Sequence, residues 1–199
     1  MLRQTSIPLQ RAVTLAAVKS HLRVDHELED DLIATYLDAA IEDAAIYTNR
    51  ILNQGEWAAT FSEWPGCSSF YLPIAPIVSV DALKYFDEAG DEQELDGDLW
   101  SFAPTSDGGI VTLASAFTWP TLREEPAEQI SIELTVGYDA DDGSSGTDPE
   151  LLLPPVIKAA IFLTVGHLHA NREDVIVGRT SSVLPKAAEH LMHRKRIYR

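Results

Sequence analysis

His167 and His169, with Glu173 close behind, are the residues in this chain whose types come nearest to a metal site. Their spacing argues against one. Residues two apart on a helix point in different directions, whereas zinc sites on helices use pairs four apart that share a face. His190 and His193 lie three apart, but no carboxylate or cysteine is placed in the sequence to close a ligand set around them. Asp139 to Glu150 places acids at the first, third and twelfth positions of a calcium loop. It then has Gly143 where a fifth-position ligand is needed and Ser144 where the turn needs glycine. Cys67, the single cysteine, sits in the turn-like run Pro65-Gly66-Cys67-Ser68-Ser69 and becomes a nucleophile only if the fold brings a histidine to it. Gly108-Gly109 leads into a strand pattern and not into a helix, so it is no phosphate loop. No set of residue types and spacings composes a catalytic constellation, and the expectation is a protein that is not an enzyme and needs no cofactor or metal. A metal-dependent hydrolase and a free regulatory binding module are the alternatives.

The elements that would carry these residues fall into three parts. Thr14 caps a short helix from Leu15 to about Leu22, with Val13 and Val18 placed as a hydrophobic staple. A second, long helix is expected from roughly Glu27 to Leu52. Its first turn holds Glu27, Glu29, Asp30 and Asp31, where the helix dipole favours acids, and Asn53-Gln54-Gly55 ends it. From Trp57 the period changes to two: Trp57, Ala59 and Phe61, then Leu83 and Tyr85, then Ile130, Ile132, Leu134 and Val136. Turn signals such as Asp96-Gly97-Asp98 and Ser106-Asp107-Gly108-Gly109 separate these runs, as in an antiparallel meander or small sandwich.

Pro154 to Val177 opens with two prolines suited to a helix start, and from Val156 to Val165 only Lys158 and Thr164 are polar. A helix with so little water-facing side must be covered from several directions. Ile157, Ile161, Phe162, Val165 and Leu168 are therefore expected to pack in the core or against other copies of the chain. Charging Ile161 or Phe162 is expected to damage folding and assembly together. Beyond it, Val175-Ile176-Val177-Gly178 reads as an extended arm, and a last short helix, about Lys186 to His193, runs into Arg194-Lys195-Arg196-Ile197-Tyr198-Arg199. Ile197 and Tyr198 among arginines offer anchors and electrostatic steering toward an acidic groove.

The fold expected is thus α+β. A small helical bundle core (residues 12–54 and 154–193) carries an inserted antiparallel β unit (55–138), an acidic linker (139–153) and an extended C-terminal arm (178–199), with Met1 to Arg11 as a polar extended arm.

Composition narrows the function classes. The chain has 199 residues, 45% of them apolar, enough for a sizeable core. Its net charge of −16 repels nucleic-acid phosphates and disfavours a DNA-coating role. The charge is uneven: Lys186 to Arg199 holds five Lys and Arg against one acid, Glu189. No apolar run reaches the roughly 20 residues that span a bilayer, and the N-terminus has no apolar signal core, so a soluble protein used without secretion is expected.

Several stretches taken together resemble a known family. Val13-Thr14-Leu15-Ala16-Ala17-Val18-Lys19-Ser20-His21-Leu22-Arg23-Val24-Asp25, followed by an acidic helix start and then Tyr47-Thr48-Asn49-Arg50, resembles the N-terminal signature of tailed-phage head–tail connector (adaptor) proteins. Leu72-Pro73-Ile74-Ala75-Pro76-Ile77-Val78-Ser79-Val80 and Leu153 through Glu173 look like the long form of the same family, which gene transfer agents also carry.

The resemblance implies a dodecameric ring between the portal protein and the stopper or tail-completion protein. It implies double-stranded DNA passing through without specific binding, a place at the head–tail junction of a virion or phage-like particle, and assembly in the host cytoplasm. It further implies that the C-terminal segment reaches back to the portal, a role that falls here to Val183, Leu184, Arg194, Lys195, Arg196, Ile197, Tyr198 and Arg199.

Overall fold

The structure is a computed structural model that describes residues 1–6, 11–124, 128–139, 151–171 and 186–198. The chain divides into two compact units, one of residues 1–10 with 53–137 and one of residues 11–52 with 138–199. Among the described residues the first is built of strands with one 3-10 turn at Gly97–Leu99 and the second of α-helices, and the α+β class expected from the sequence is the one observed. The Val175 to Gly178 arm, Val183, Leu184, Arg199 and all of the acidic loop after Asp139 up to Glu150 lie outside the described residues.

The β unit holds two antiparallel sheets. Five strands run in the order β1 (Leu2–Gln4), β2 (Gly55–Phe61), β8 (Ile130–Val136), β4 (Ile77–Phe86), β5 (Glu92–Glu94). Three more run β3 (Ser69–Leu72), β7 (Gly108–Leu113), β6 (Trp100–Thr105). β8 is central because its pattern is strict: Ile130, Ile132, Leu134 and Val136 are buried while Ser131, Glu133 and Thr135 between them reach water. On that outer face Lys84 Nζ lies 2.6 Å from Glu133 Oε1. The edges are short and charged, Arg3 on β1 and Glu92 and Glu94 on β5, which blunts pairing with another sheet. Part of the polar extended arm expected at the N-terminus is strand β1: Leu2, Arg3 and Gln4 pair in register with Ala59, Ala58 and Trp57.

The helical unit contains α1 (Leu15–Leu22), α2 (Asp30–Thr48), α3 (Pro155–Ala170) and α4 (Lys186–His193). α1 has the expected bounds. Thr14 Oγ1 accepts the Ala17 amide at 3.3 Å, and both staple residues, Val13 and Val18, are buried. α1 ends at Arg23, in the left-handed region at φ 59°, with the Val24 amide returning to Lys19 O.

α2 is shorter than expected at both ends. It stops at Asn49, φ 54°, where the Arg50 amide bonds back to Ala45 O, so the left-handed asparagine ends the helix before Gly55 does.

α3 lies in the core with α2, α1 and α4. Ile157, Ile161 and Val165 are fully buried within the chain itself, and Leu37, Ile33, Ala40 and Met192 share their cluster. Phe162 is half-buried and stacks on His21 with ring centroids 5.0 Å apart, Leu168 is half-buried, and Leu163 is exposed. The expectation of a helix covered from several sides therefore meets its covering largely inside the chain.

Candidate functional site

The histidines do not converge. His169 Nε2 lies 3.1 Å from Oε2 of Glu29, the N-cap residue of α2, while His167 faces Asn171, whose Nδ2 donates to the His167 carbonyl at 2.9 Å and closes the end of α3. His193 instead lies against Tyr198, with the hydroxyl 3.3 Å from Nε2. Among the described residues no three His, Cys, Asp or Glu side chains are grouped to hold a metal ion. Cys67 is exposed on the β unit, whose residues include no histidine. Hydrogen bonds from the Ser69 hydroxyl and the Ser69 backbone hold its thiol below the usual range, a property of the turn alone. Among the described residues no helix is long and apolar enough to cross a membrane.

What the fold does build is a basic tip on the helical unit. The amphipathic α4 turns Ala188 and Met192 into the core, and its last turn continues through Lys195, whose amide donates to Met192 O at 2.9 Å. The chain then runs across the C-terminal end of α2. There the helix leaves carbonyls without intrahelical partners. The Ile197 amide donates to one of them, Thr48 O, at 2.9 Å, and Asn49 Nδ2 donates to Ile197 O at 2.8 Å. Arg50 Nε donates to Lys195 O at 2.9 Å, and its Nη1 reaches the Tyr138 hydroxyl at 3.2 Å.

Both backbone groups of Ile197 are thus held by α2 residues, and its side chain is buried at 6% exposure. Burying such a side chain stabilises by about 2 kcal/mol. This corrects the sequence expectation for one residue: Ile197 is an anchor into its own chain, not a free docking side chain.

The side chains around it face outward. Arg194, Lys195 and Arg196 are exposed, and Tyr198 is 68% exposed. The Arg196 guanidinium carbon lies 5.3 Å from the Tyr47 ring centre and 5.4 Å from that of Tyr198, a cation held between two aromatic rings. Ile46, one residue before Tyr47, is also 68% exposed. Burial pushes the Tyr138 hydroxyl above the usual tyrosine range, while the Arg50 charge and hydrogen bond pull it partly back.

Sequence reasoning missed Tyr47, Asn49, Arg50 and Tyr138 as parts of this tip. The Tyr47 to Arg50 run carried only a resemblance, and nothing local links it to residues almost 150 positions later.

Residues 12–89 match the family model of phage gp6-like head-tail connector proteins. No curated protein matches by sequence. Among solved structures, a chain in the neck of an empty gene transfer agent particle, computed with C6 symmetry, has a TM-score of 0.74 and 24% identity, over 100% of this chain and 96% of that one. A chain in the virion of a native gene transfer agent particle gives the same values. A chain in the neck of a native particle, computed with C12 symmetry, has a TM-score of 0.71 and 23% identity, over 100% of this chain and 96% of that one. The matched segment takes in α1, α2 and β2 through β4, including the tip residues Tyr47, Asn49 and Arg50, so that over residues 12–89 the chain is similar to the gp6-like head-tail connector family.

Proposed function

We propose that this protein is a structural head–tail connector of a tailed phage or phage-like gene transfer agent. In this reading it forms a ring under the portal, joins the capsid to the stopper or tail, and surrounds the DNA channel. The observation that carries the reading is the extent of the fold match: the likeness spans 100% of this chain and 96% of a neck-particle chain, with a TM-score of 0.74. The C6 and C12 symmetry of the neck structures supports a homo-oligomeric ring, with a dodecamer as the specific proposal. The exposed cations of the tip support a portal-facing role for Arg194, Lys195, Arg196 and Tyr198, with Val183, Leu184 and Arg199 as further portal contacts. An acidic body, −16 in net charge, repels the phosphates of a duplex in the channel and so lets it slide.

Deleting the gene in a particle-producing strain tests the reading. Filled heads without tails, restored to complete particles by supplying the chain, are expected. Complete, tailed particles in the deletion strain would overturn it.

A further inference from the structure

The basic C-terminus is clasped, and the clasp changes what a partner meets. Two backbone hydrogen bonds on Ile197, one from Asn49 and one to Thr48, together with the Arg50 bond to Lys195 O, fasten the segment to the end of α2. Releasing it would expose the buried Ile197 side chain and take the Ile197 amide from Thr48 O, which belongs to a fully buried residue. The geometry points to a docking surface that is a folded composite of two distant segments: Ile46 and Tyr47 from α2 with Arg194, Arg196 and Tyr198 from the C-terminus, engaging an acidic protein surface with an apolar slot. Asn49 and Arg50 are its positioning residues. This inference rests on the portal-docking reading above and names the surface and the partner chemistry for it.

Charge and shape argue for that partner. The patch has three exposed cations in succession, Arg194, Lys195 and Arg196, so its complement is acidic. Tyr198 is 68% exposed, Tyr47 lies half-buried under Arg196, and Ile46, also 68% exposed, stands four positions before Arg50, which holds Lys195 O. Aromatic and arginine side chains clustered about an apolar contact are the composition of protein hot spots. Phosphate binding makes no use of an exposed isoleucine, so a protein fits the patch better than a duplex does. A rigid presentation also lowers the ordering cost that a free hexapeptide would bear on binding.

The test uses the full chain and tailless, portal-bearing heads purified from a strain that lacks it, with binding read by co-sedimentation. Ile46→Ala and Arg196→Ala are each expected to weaken binding about tenfold. Asn49→Ala should weaken it with an unchanged circular dichroism spectrum, and Asn49→Asp, which keeps the size but cannot donate to Ile197 O, should not rescue it. A synthetic peptide of residues 194–199 should fail to compete in about 100-fold excess, since it lacks the α2 half of the surface.

Full competition by that peptide, or wild-type binding by Ile46→Ala and Asn49→Ala, would overturn the composite while leaving portal docking in place. Failure of the unmodified chain to bind heads would overturn both. Binding of the unmodified chain to a duplex DNA fragment, lost in the same variants, would overturn the assignment of a protein partner.

Discussion

Two residues of α3, two positions apart, separate folding from surface contact. Ile161 has no exposed surface and lies in the cluster that contains Leu37, Ile157 and Val165, whereas Leu163, two positions on, is 39% exposed. Ile161→Asp removes a fully buried side chain, a loss of about 2–3 kcal/mol. It also places a carboxylate where no partner awaits it, which costs several kcal/mol more. The sum, at least about 5 kcal/mol, is comparable with the whole stability of a domain, roughly 5–15 kcal/mol. Leu163→Asp removes a side chain that is already 39% exposed, leaves the carboxylate in reach of water, and should cost only about 1–2 kcal/mol.

Denaturant unfolding followed by circular dichroism distinguishes the two. Ile161→Asp is expected to lack a cooperative transition, and Leu163→Asp to keep one with a modestly lowered midpoint. Any failure of Leu163→Asp to enter particles would then report a subunit contact and not a folding defect. A wild-type midpoint for Ile161→Asp would refute the packing assigned to α3.

Gly137→Ala should lower the thermal midpoint by about 5 °C or more, because Gly137 has φ 117° and an added Cβ would lie 2.4 Å from Asn53 O and 2.6 Å from Gln54 Cα; an unchanged midpoint would show that the backbone there gives way. Tyr138 has its hydroxyl raised by burial, so the native state holds that proton more tightly than the unfolded chain does. Its contribution is present below the ordinary tyrosine value of about 10 and is lost as pH rises through the folded value. Tyr138→Phe should therefore flatten the alkaline loss of stability seen by circular dichroism from about pH 9.5 upward, and an identical alkaline profile would count against this. Asp87 Oδ1 accepts the Asp91 amide at 3.0 Å, Oδ2 accepts the Gln93 side-chain amide at 2.9 Å, and Oδ1 also accepts the Ala89 amide at 3.0 Å, which together hold the carboxyl below its usual range. Its ordering of the β4–β5 turn is thus present above the ordinary carboxylate value and lost as pH falls through the lowered one. Asp87→Ala should raise hydrogen exchange at Glu92 to Glu94 at neutral pH, and equal protection in variant and wild type would refute that.

How much of this was legible in the sequence depends on how local its causes are. α1 was readable to the residue, since Thr14, Val13 and Val18 lie within five positions and fix its start. β8 was readable because strict alternation admits one face inward. The end of α2 was misplaced because any asparagine can take the left-handed conformation, and Gly55 carried the stronger ordinary signal. β1 was missed because Leu2-Arg3-Gln4 has no alternating pattern. Its strand state comes from the β2 edge it pairs with, which begins more than 50 residues later.

The tip divides in the same way. The cations of Arg194 to Arg196 were visible as a cluster, but the burial of Ile197 depends on Thr48 and Asn49, a contact across 148 residues for Asn49 that no local pattern encodes. The helix apolar on nearly every side was noticed, yet the sequence did not tell self-covering from subunit-covering. Only the packing of α2 and α4 on α3 decides that for Ile157, Ile161 and Val165.

Quantitative mass spectrometry of complete, tailed particles, counting copies of this chain against copies of the portal protein, tests the central claim most directly. A ring seated under the portal predicts that the chain is present in a fixed ratio of about one copy per portal subunit, as expected of closed cyclic assemblies sharing an axis. Its absence from purified particles, or its presence only in trace amounts without a fixed ratio to the portal, would contradict the account.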